Sequence, residues 1–202
     1  MRVGIVALQG GVSEHAYMVR RAARNLGIDC EIVYVKHAEN LNGIDALILP
    51  GGESTTIGAL MARTGLLKPL KNLLEAGETP VLATCAGAIL LAKRVVDKHV
   101  GEVKQPLLAV MDFEAVRNYF GRQRESFETP LRVRLDGGEV SVRGVFIRAP
   151  AFTKVWGRAE SISDFEGVSV AVREGEKIAL AFHPELTSDT VIHEYLLRKA
   201  LG

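Results

Sequence analysis

Cys85 stands where an apolar run meets small residues, in Val81-Leu82-Ala83-Thr84-Cys85-Ala86-Gly87. A cysteine between a buried strand and a helix, with small neighbours, has the form of a nucleophile elbow. Small residues let the chain turn sharply and lift the side chain off the sheet. The free N–H groups of the following helix favour thiolate over thiol. The competing reading is a buried core cysteine, the common fate of a lone thiol. Cys30 has no such setting and reads as a small hydrophobe at a strand start.

A second segment, Ala181-Phe182-His183-Pro184-Glu185, offers a base and an acid two residues apart. If a strand ends there, both side chains point the same way. His183 can then take a proton from Cys85 while Glu185 holds the imidazole tautomer. His15, His37, His99 and His193 have no acidic partner at strand spacing, although His193 adjoins Glu194. These four are assigned to the surface or to packing, with His15 just past the first strand end.

The third segment is Pro50-Gly51-Gly52-Glu53-Ser54-Thr55-Thr56, whose paired glycines allow backbone N–H groups to face a ligand or a developing oxyanion. Ser54 is expected to cap the helix that follows. The Lys-Ser/Thr ending of a phosphate loop is missing, and Gln9-Gly10-Gly11 lacks dinucleotide spacing. The paired short spacings of a zinc site are also missing, so no metal or cofactor is expected. A cysteine, a donor loop, a histidine and an acid point to acyl transfer through a thioester. They do not choose the acyl group.

The elements that must position these loops are legible as hydrophobic runs. Val3–Leu8, Cys30–Val35, Ile44–Leu49 and Pro80–Thr84 read as buried strands. Helices are expected from a Ser13 cap to about Leu26, over Thr56–Arg63 and Leu66–Glu75, and over Ala86–Val95. This alternation predicts an α/β fold with a mostly parallel central sheet between helical layers, a three-layer sandwich. Leu131–Leu135, Val140–Val145, Val168–Val172 and Ile178–Phe182 read as mostly antiparallel strands extending the same sheet, and a last helix as about Asp189–Ala200. With 202 residues, no repeat and no linker, one domain over 1–202 is the simplest organisation.

Composition narrows the class further. A net charge of +1 supplies no field for nucleic acid or an anionic membrane. No apolar run approaches the ~20 residues of a membrane helix. Two cysteines make no disulfide framework, and the start of the chain does not read as a signal peptide, so a cytoplasmic protein is expected.

Pro50-Gly51-Gly52-Glu53-Ser54, Thr84-Cys85-Ala86-Gly87 and His183-Pro184-Glu185-Leu186 together resemble the class I (triad) glutamine amidotransferases. Three further blocks narrow the resemblance to the glutaminase subunits of pyridoxal 5′-phosphate synthases. These are Val6-Ala7-Leu8-Gln9-Gly10, then Arg117-Asn118-Tyr119-Phe120-Gly121-Arg122-Gln123 with Ser126-Phe127-Glu128, and Gly144-Val145-Phe146-Ile147-Arg148-Ala149-Pro150. The blocks run from the first strand to the last helix. Ala83 and Ala88 depart from the pattern, and Val103–Glu114 matches less well.

The resemblance implies that Cys85 attacks the side-chain amide of L-glutamine, that His183 protonates the leaving ammonia and then activates water, and that Glu185 orients His183. It implies a glutamine site of Gly52, Glu53, Ser54, Arg117, Ile147 and Arg148, with the Gly52 and Ala86 N–H groups as oxyanion donors. A guanidinium suits an α-carboxylate, although without the resemblance Arg117 and Arg148 would read as surface ion pairs. It also implies a (β/α)8-barrel synthase partner in a large hetero-oligomer, which receives ammonia to build pyridoxal phosphate. Docking is implied to switch the glutaminase on, with the Gln9-Gly10 and Gly51-Gly52 loops as places for that control. Two alternatives stay open: a glutaminase serving another acceptor, such as an imidazole glycerol phosphate synthase, or a DJ-1/PfpI-like redox or stress protein.

Overall fold

The computed structural model describes Met1–Gly202. Its first half runs β1 (Arg2–Val6), α1 (Val12–Leu26), β2 (Glu31–Val35), β3 (Ala46–Leu49), α2 (Ser54–Arg63), α3 (Leu67–Ala76), β4 (Val81–Thr84) and α4 (Ala86–Leu91). Strands β5 (Ala92–Asp97), β6 (Gly101–Glu102), β7 (Met111–Arg117), β8 (Phe127–Leu135) and β9 (Gly138–Phe146) follow. Then come β10 (Ala151–Val155), β11 (Glu160–Phe165), β12 (Val168–Glu174), β13 (Lys177–Leu180) and α5 (Val191–Lys199).

The main sheet has the order β2-β1-β3-β4-β13-β12-β10-β7-β5-β6, with β11 beside β12. Strands β3 and β4 are buried along their whole length, as continuous apolar runs between helical layers should be. Helix α1 packs against α5 and α2 against α3 and α4, and one apolar cluster reaches from Val3 to Leu197. No helix is long and apolar enough to cross a membrane. The decisive feature for chemistry is that β3, β4 and β13 are adjacent and mutually parallel, with Leu49 beside Ala83 and Leu180 beside Thr84. Their carboxyl ends therefore open together, where ligands bind in such sheets. The three chemically suggestive loops follow those three ends.

Several expectations need correction. The helix expected over Ala86–Val95 stops at Leu91, and Ala92–Asp97 pairs as a strand with β7. Lys93 and Arg94 face solvent there while Val95 is buried, and paired Val95-Val96 favours extended backbone. The hairpin β8–β9 forms a separate two-stranded sheet instead of extending the main one. Leu131, Val133 and Leu135 line its buried face while Arg132 and Arg134 face water, so it covers the core as a one-sided ribbon. Strand β13 is antiparallel to β12 but parallel to β4. Ser13 is no cap: Gly11 holds the N-cap position of α1, and the Ser13 hydroxyl lies 3.0 Å from Glu14. At the other end of α1, Gly27 is left-handed (φ 67°), as a closing glycine should be.

Candidate active site

Cys85 occupies the single residue between β4 and α4, with φ 46° and ψ −104°, a conformation that costs an L-residue strain. The turn is held by bonds on both sides: the Cys85 N–H donates to the Leu180 carbonyl at 2.8 Å, and its own carbonyl accepts from Ile89 at 3.0 Å. Gly87 makes the turn possible, because a Cβ there would lie 2.1 Å from the Leu49 carbonyl oxygen. Cys85 is only 7% exposed, and the short helix beyond it is buried throughout. The strained elbow expected from the small-residue context is present.

His183 reaches the same place from the end of β13. Its backbone N–H donates to the Val145 carbonyl at 2.9 Å, and its Nδ1 lies 2.7 Å from Glu185 Oε1. The two side chains meet through a 3₁₀ turn over Pro184–Leu186, not through strand alternation as the spacing predicts. Gly51 lies against both halves of the pair: a Cβ on it would stand 2.4 Å from His183 Cε1 and 3.3 Å from Cys85 Cβ. Burial pushes the His183 imidazolium down, but the hydrogen bonds and charges of Cys85 and Glu185 outweigh this and hold it up to about 10. Burial likewise raises the Glu185 carboxyl, and His15 and His183 more than reverse that, leaving it well below the usual carboxylate range.

A cavity of about 210 Å³ opens beside the pair. Gly52, Glu53 and Ser54 line one side, with Cys85, Ala86 and His183 at its base. Arg117, Ile147 and Arg148 complete the wall, so every site residue expected from sequence except Glu185 lines it; Glu185 lies behind His183. The Gly52 N–H has no acceptor within the chain, and the Ala86 N–H, the first of its helix, has no intrahelical partner. Both are free to receive an oxyanion. A larger cavity of about 710 Å³ lies by Pro80 and Glu176, at the other end of the sheet from these groups.

Glu53, not Ser54, caps α2: its carboxylate accepts the N–H groups of Thr55 and Thr56 at 3.3 and 2.7 Å. Burial works against the Glu53 charge, but the bonds from Thr55 and Thr56 hold the carboxyl down to about 2. Ser54 instead sends its hydroxyl to Gln105 Oε1 at 3.3 Å. The loop is stitched to its neighbours by Glu53 N–H to Gln9 Oε1 at 2.9 Å and Gly11 N–H to the Gly51 carbonyl at 3.1 Å. Arg117 lies 3.3 Å from Glu53 and 3.9 Å from Asp97, and it donates to Gln105 at 3.1 Å.

Sequence reasoning missed Ile89, Asn118 and Gln123 in the cavity wall. Asn118 and Arg148 both have positive φ (54° and 47°), so three strained non-glycine residues, with Cys85, converge on one cavity. No residue type announces that strain. The assignment of His15 and His193 to packing is incomplete: both are fully buried, and His15 Nε2 lies 3.4 Å from Glu185 Oε1. His37 and His99 are exposed, as assigned.

Residues 5–201 match the model of the SNO glutamine amidotransferase family. The chain is 52% identical to a protein of Staphylothermus marinus over 100% of this chain and 99% of that one. It is 54% identical to one of Aeropyrum pernix over 98% of each. Both relatives carry the name pyridoxal 5′-phosphate synthase subunit PdxT. Among solved structures, one described as a glutamine amidotransferase superposes with a TM-score of 0.84 at 43% identity, covering 99% of each chain. Another, from Thermotoga maritima, shares the fold at 15% identity with a TM-score of 0.59. By its sequence over nearly its whole length, this chain belongs to the SNO glutamine amidotransferase family.

Proposed function

We propose that this chain hydrolyses L-glutamine to glutamate and ammonia and is the glutaminase subunit of a pyridoxal 5′-phosphate synthase. The observation that carries this reading is that Cys85 and His183, with Glu185 behind His183, lie on a cavity walled by Gly52, Glu53, Arg117 and Arg148. The relatives' name supports the acceptor, and it favours pyridoxal phosphate over imidazole glycerol phosphate. The redox alternative leaves the His183–Glu185 pair and the two arginines without a task.

In this mechanism the Cys85 thiolate attacks the side-chain carbonyl carbon of glutamine. The Gly52 and Ala86 N–H groups receive the oxyanion, a contribution worth about 3–4 kcal/mol per donor in comparable sites. The His183 imidazolium gives its proton to the departing nitrogen, the C–N bond breaks, and a γ-glutamyl thioester remains with ammonia free. Neutral His183 then takes a proton from water, whose hydroxide attacks the thioester, and glutamate leaves as Cys85 returns to thiolate. Glu185 keeps Nδ1–H pointing away from the sulfur, so Nε2 faces the chemistry. Arg117 and Arg148 hold the α-carboxylate, while the Glu53 carboxylate faces the α-ammonium. The cavity is smaller than the roughly 300–1,000 Å³ of drug-sized ligand sites, in keeping with an amino-acid substrate.

Ammonia released to water is protonated and loses its nucleophilicity, so hydrolysis is useful only beside an acceptor. We infer a (β/α)8-barrel synthase subunit docked over this cavity in a large hetero-oligomer, in the cytoplasm, with the Gln9-Gly10 and Gly51-Gly52 loops under its control. These two loops are already joined by the Gly11–Gly51 and Glu53–Gln9 bonds, so force on one reaches the other. The test is glutamate release with and without the synthase subunit, for wild type and Cys85→Ala. Release by the wild-type complex, little by the isolated chain and none by Cys85→Ala is expected. Equal rates for wild type and Cys85→Ala would refute the reading.

A further inference from the structure

We propose that His15 is a positioning residue for glutamine hydrolysis, tying the triad carboxylate to the glycine loop through Thr84. The proposal rests on the reading of Cys85, His183 and Glu185 as a glutaminase triad.

His15 lies in the first turn of α1 and has no exposed surface. Its Nε2 sits 3.4 Å from Glu185 Oε1, the same oxygen that lies 2.7 Å from His183 Nδ1, and 3.1 Å from the Thr84 hydroxyl. That hydroxyl accepts the Gly51 N–H at 2.9 Å. On its other side, His15 Nδ1 lies 3.0 Å from Nε2 of His193, which α5 brings in and which is also fully buried. A chain of contacts therefore runs from Glu185 through His15 and Thr84 to the loop that carries Gly52.

Hydrogen bookkeeping gives this chain a direction. An ionised carboxylate only accepts, so His15 Nε2 must carry a hydrogen, one that it shares between Glu185 Oε1 and the Thr84 hydroxyl oxygen. Its Nδ1 is then a lone pair, and His193 must donate from Nε2. That leaves His193 Nδ1 bare, and this is the buried ring nitrogen with no partner in the structure. The reverse tautomers would bury an unpaired N–H on His193, which costs more than an unpaired lone pair. Burial above all makes the charged form of His193 unfavourable, which keeps the proton arrangement in place.

The consequence is that Glu185 Oε1 faces two ring N–H groups, that of His183 at 2.7 Å and that of His15 at 3.4 Å, the latter shared with the Thr84 hydroxyl at 3.1 Å, while Oε2 has no partner. Two donors on one oxygen fix the carboxylate plane and so the aim of His183. Neither His15 nor His193 lines the glutamine cavity, so their effect on the reaction passes through Glu185 and Thr84.

Two substitutions separate this role from mere filling. In His15→Gln the amide nitrogen reaches the position of the imidazole Nε2 and keeps the donor; in His15→Asn it does not, although an acceptor for His193 remains. In the complete complex, His15→Asn is expected to lower kcat roughly tenfold to a hundredfold, the loss of one charge-assisted hydrogen bond. KM should stay within about twofold, and His15→Gln should recover most of kcat. Equal losses in both folded variants, a loss falling on KM, or an unaltered His15→Asn would overturn the role of His15 alone. A wild-type complex that releases no glutamate would overturn the glutaminase reading itself. The wild-type chain labelled with ¹⁵N-histidine supplies a readout that needs neither catalysis nor a variant. Its ring-nitrogen shifts should give Nε2–H tautomers for His15 and His193, and an Nδ1–H tautomer on His15 would overturn the proposal.

Discussion

Replacing Glu185 with Gln keeps the shape of the side chain and removes its charge. The His183 Nδ1 to Glu185 Oε1 contact is 2.7 Å, and the carboxylate side chain is 1% exposed, so little water is present to replace the lost interaction. A hydrogen bond to a charged group contributes about 1.5–3 kcal/mol. Two unit charges about 4 Å apart at an effective dielectric of about 20 attract by about 4 kcal/mol. Glutamine retains an oxygen acceptor, so the loss in the transition state falls at about 2–4 kcal/mol, roughly 30- to 1,000-fold in kcat. The assay is glutamate release by the docked subunit at saturating glutamine, with thermal unfolding measured in parallel. A second readout is the NMR titration of the His183 Cε1–H. In the wild type Cys85 and Glu185 hold the imidazolium above its ordinary range, to about 10, so the midpoint is expected there; without Glu185 it should move down, because one of the two charges that favour the imidazolium is gone. A kcat within threefold of wild type, with an unmoved titration, would refute the assignment of Glu185 as the orienting acid.

Other expectations follow from the same geometry. Gly51→Ala places a Cβ 2.4 Å from His183 Cε1, so the imidazole must shift by an ångström or so; glutamate release should fall at least about a hundredfold, and an active Gly51→Ala would contradict the close approach. Arg117→Ala should raise the KM for glutamine roughly tenfold to a hundredfold with a smaller effect on kcat, and steady-state kinetics showing the reverse split would remove Arg117 from the binding site. Glu53 is held at about 2 in the fold against an ordinary 4.5, so the unfolded chain takes up the proton first. Its contribution to stability is complete above about 4.5 and is lost as pH falls towards 2. Glu53→Gln should therefore flatten the acid side of the melting-temperature profile, and an unchanged profile would argue against the cap.

What was legible in the sequence follows from which interactions are local. Continuous apolar runs ending in Gly-Gly, Cys-Ala-Gly and His-Pro-Glu mark strand ends, and three adjacent parallel strands bring those ends together. Cys85 could be read because an elbow needs small residues on both sides, and these are neighbours in sequence. The end of α4 could not, because Ala92–Asp97 is drawn into a strand by pairing with β7, which lies well ahead in the chain. The sequence places the cap of α2 one residue late because serine is a common cap, whereas here the half-exposed Glu53 carboxylate takes the two N–H groups. Spacing predicted the closeness of His183 and Glu185 for the wrong reason, since a 3₁₀ turn makes it. His15 and His193 were unreadable as partners of the triad: they come from α1 and α5, whose packing no local pattern encodes. The strained backbones of Asn118 and Arg148 are likewise products of the cavity they line.

The most direct test of the account is to catch the covalent intermediate. The subunit docked on its synthase, mixed with glutamine and quenched in acid within a turnover, should carry a γ-glutamyl group on the peptide containing Cys85, seen by mass spectrometry. The adduct should be absent in Cys85→Ala. Glutamate formation by the wild-type complex with the glutamyl group on another residue, or formation undiminished in Cys85→Ala, would contradict the claim that the sulfur at position 85 performs the reaction.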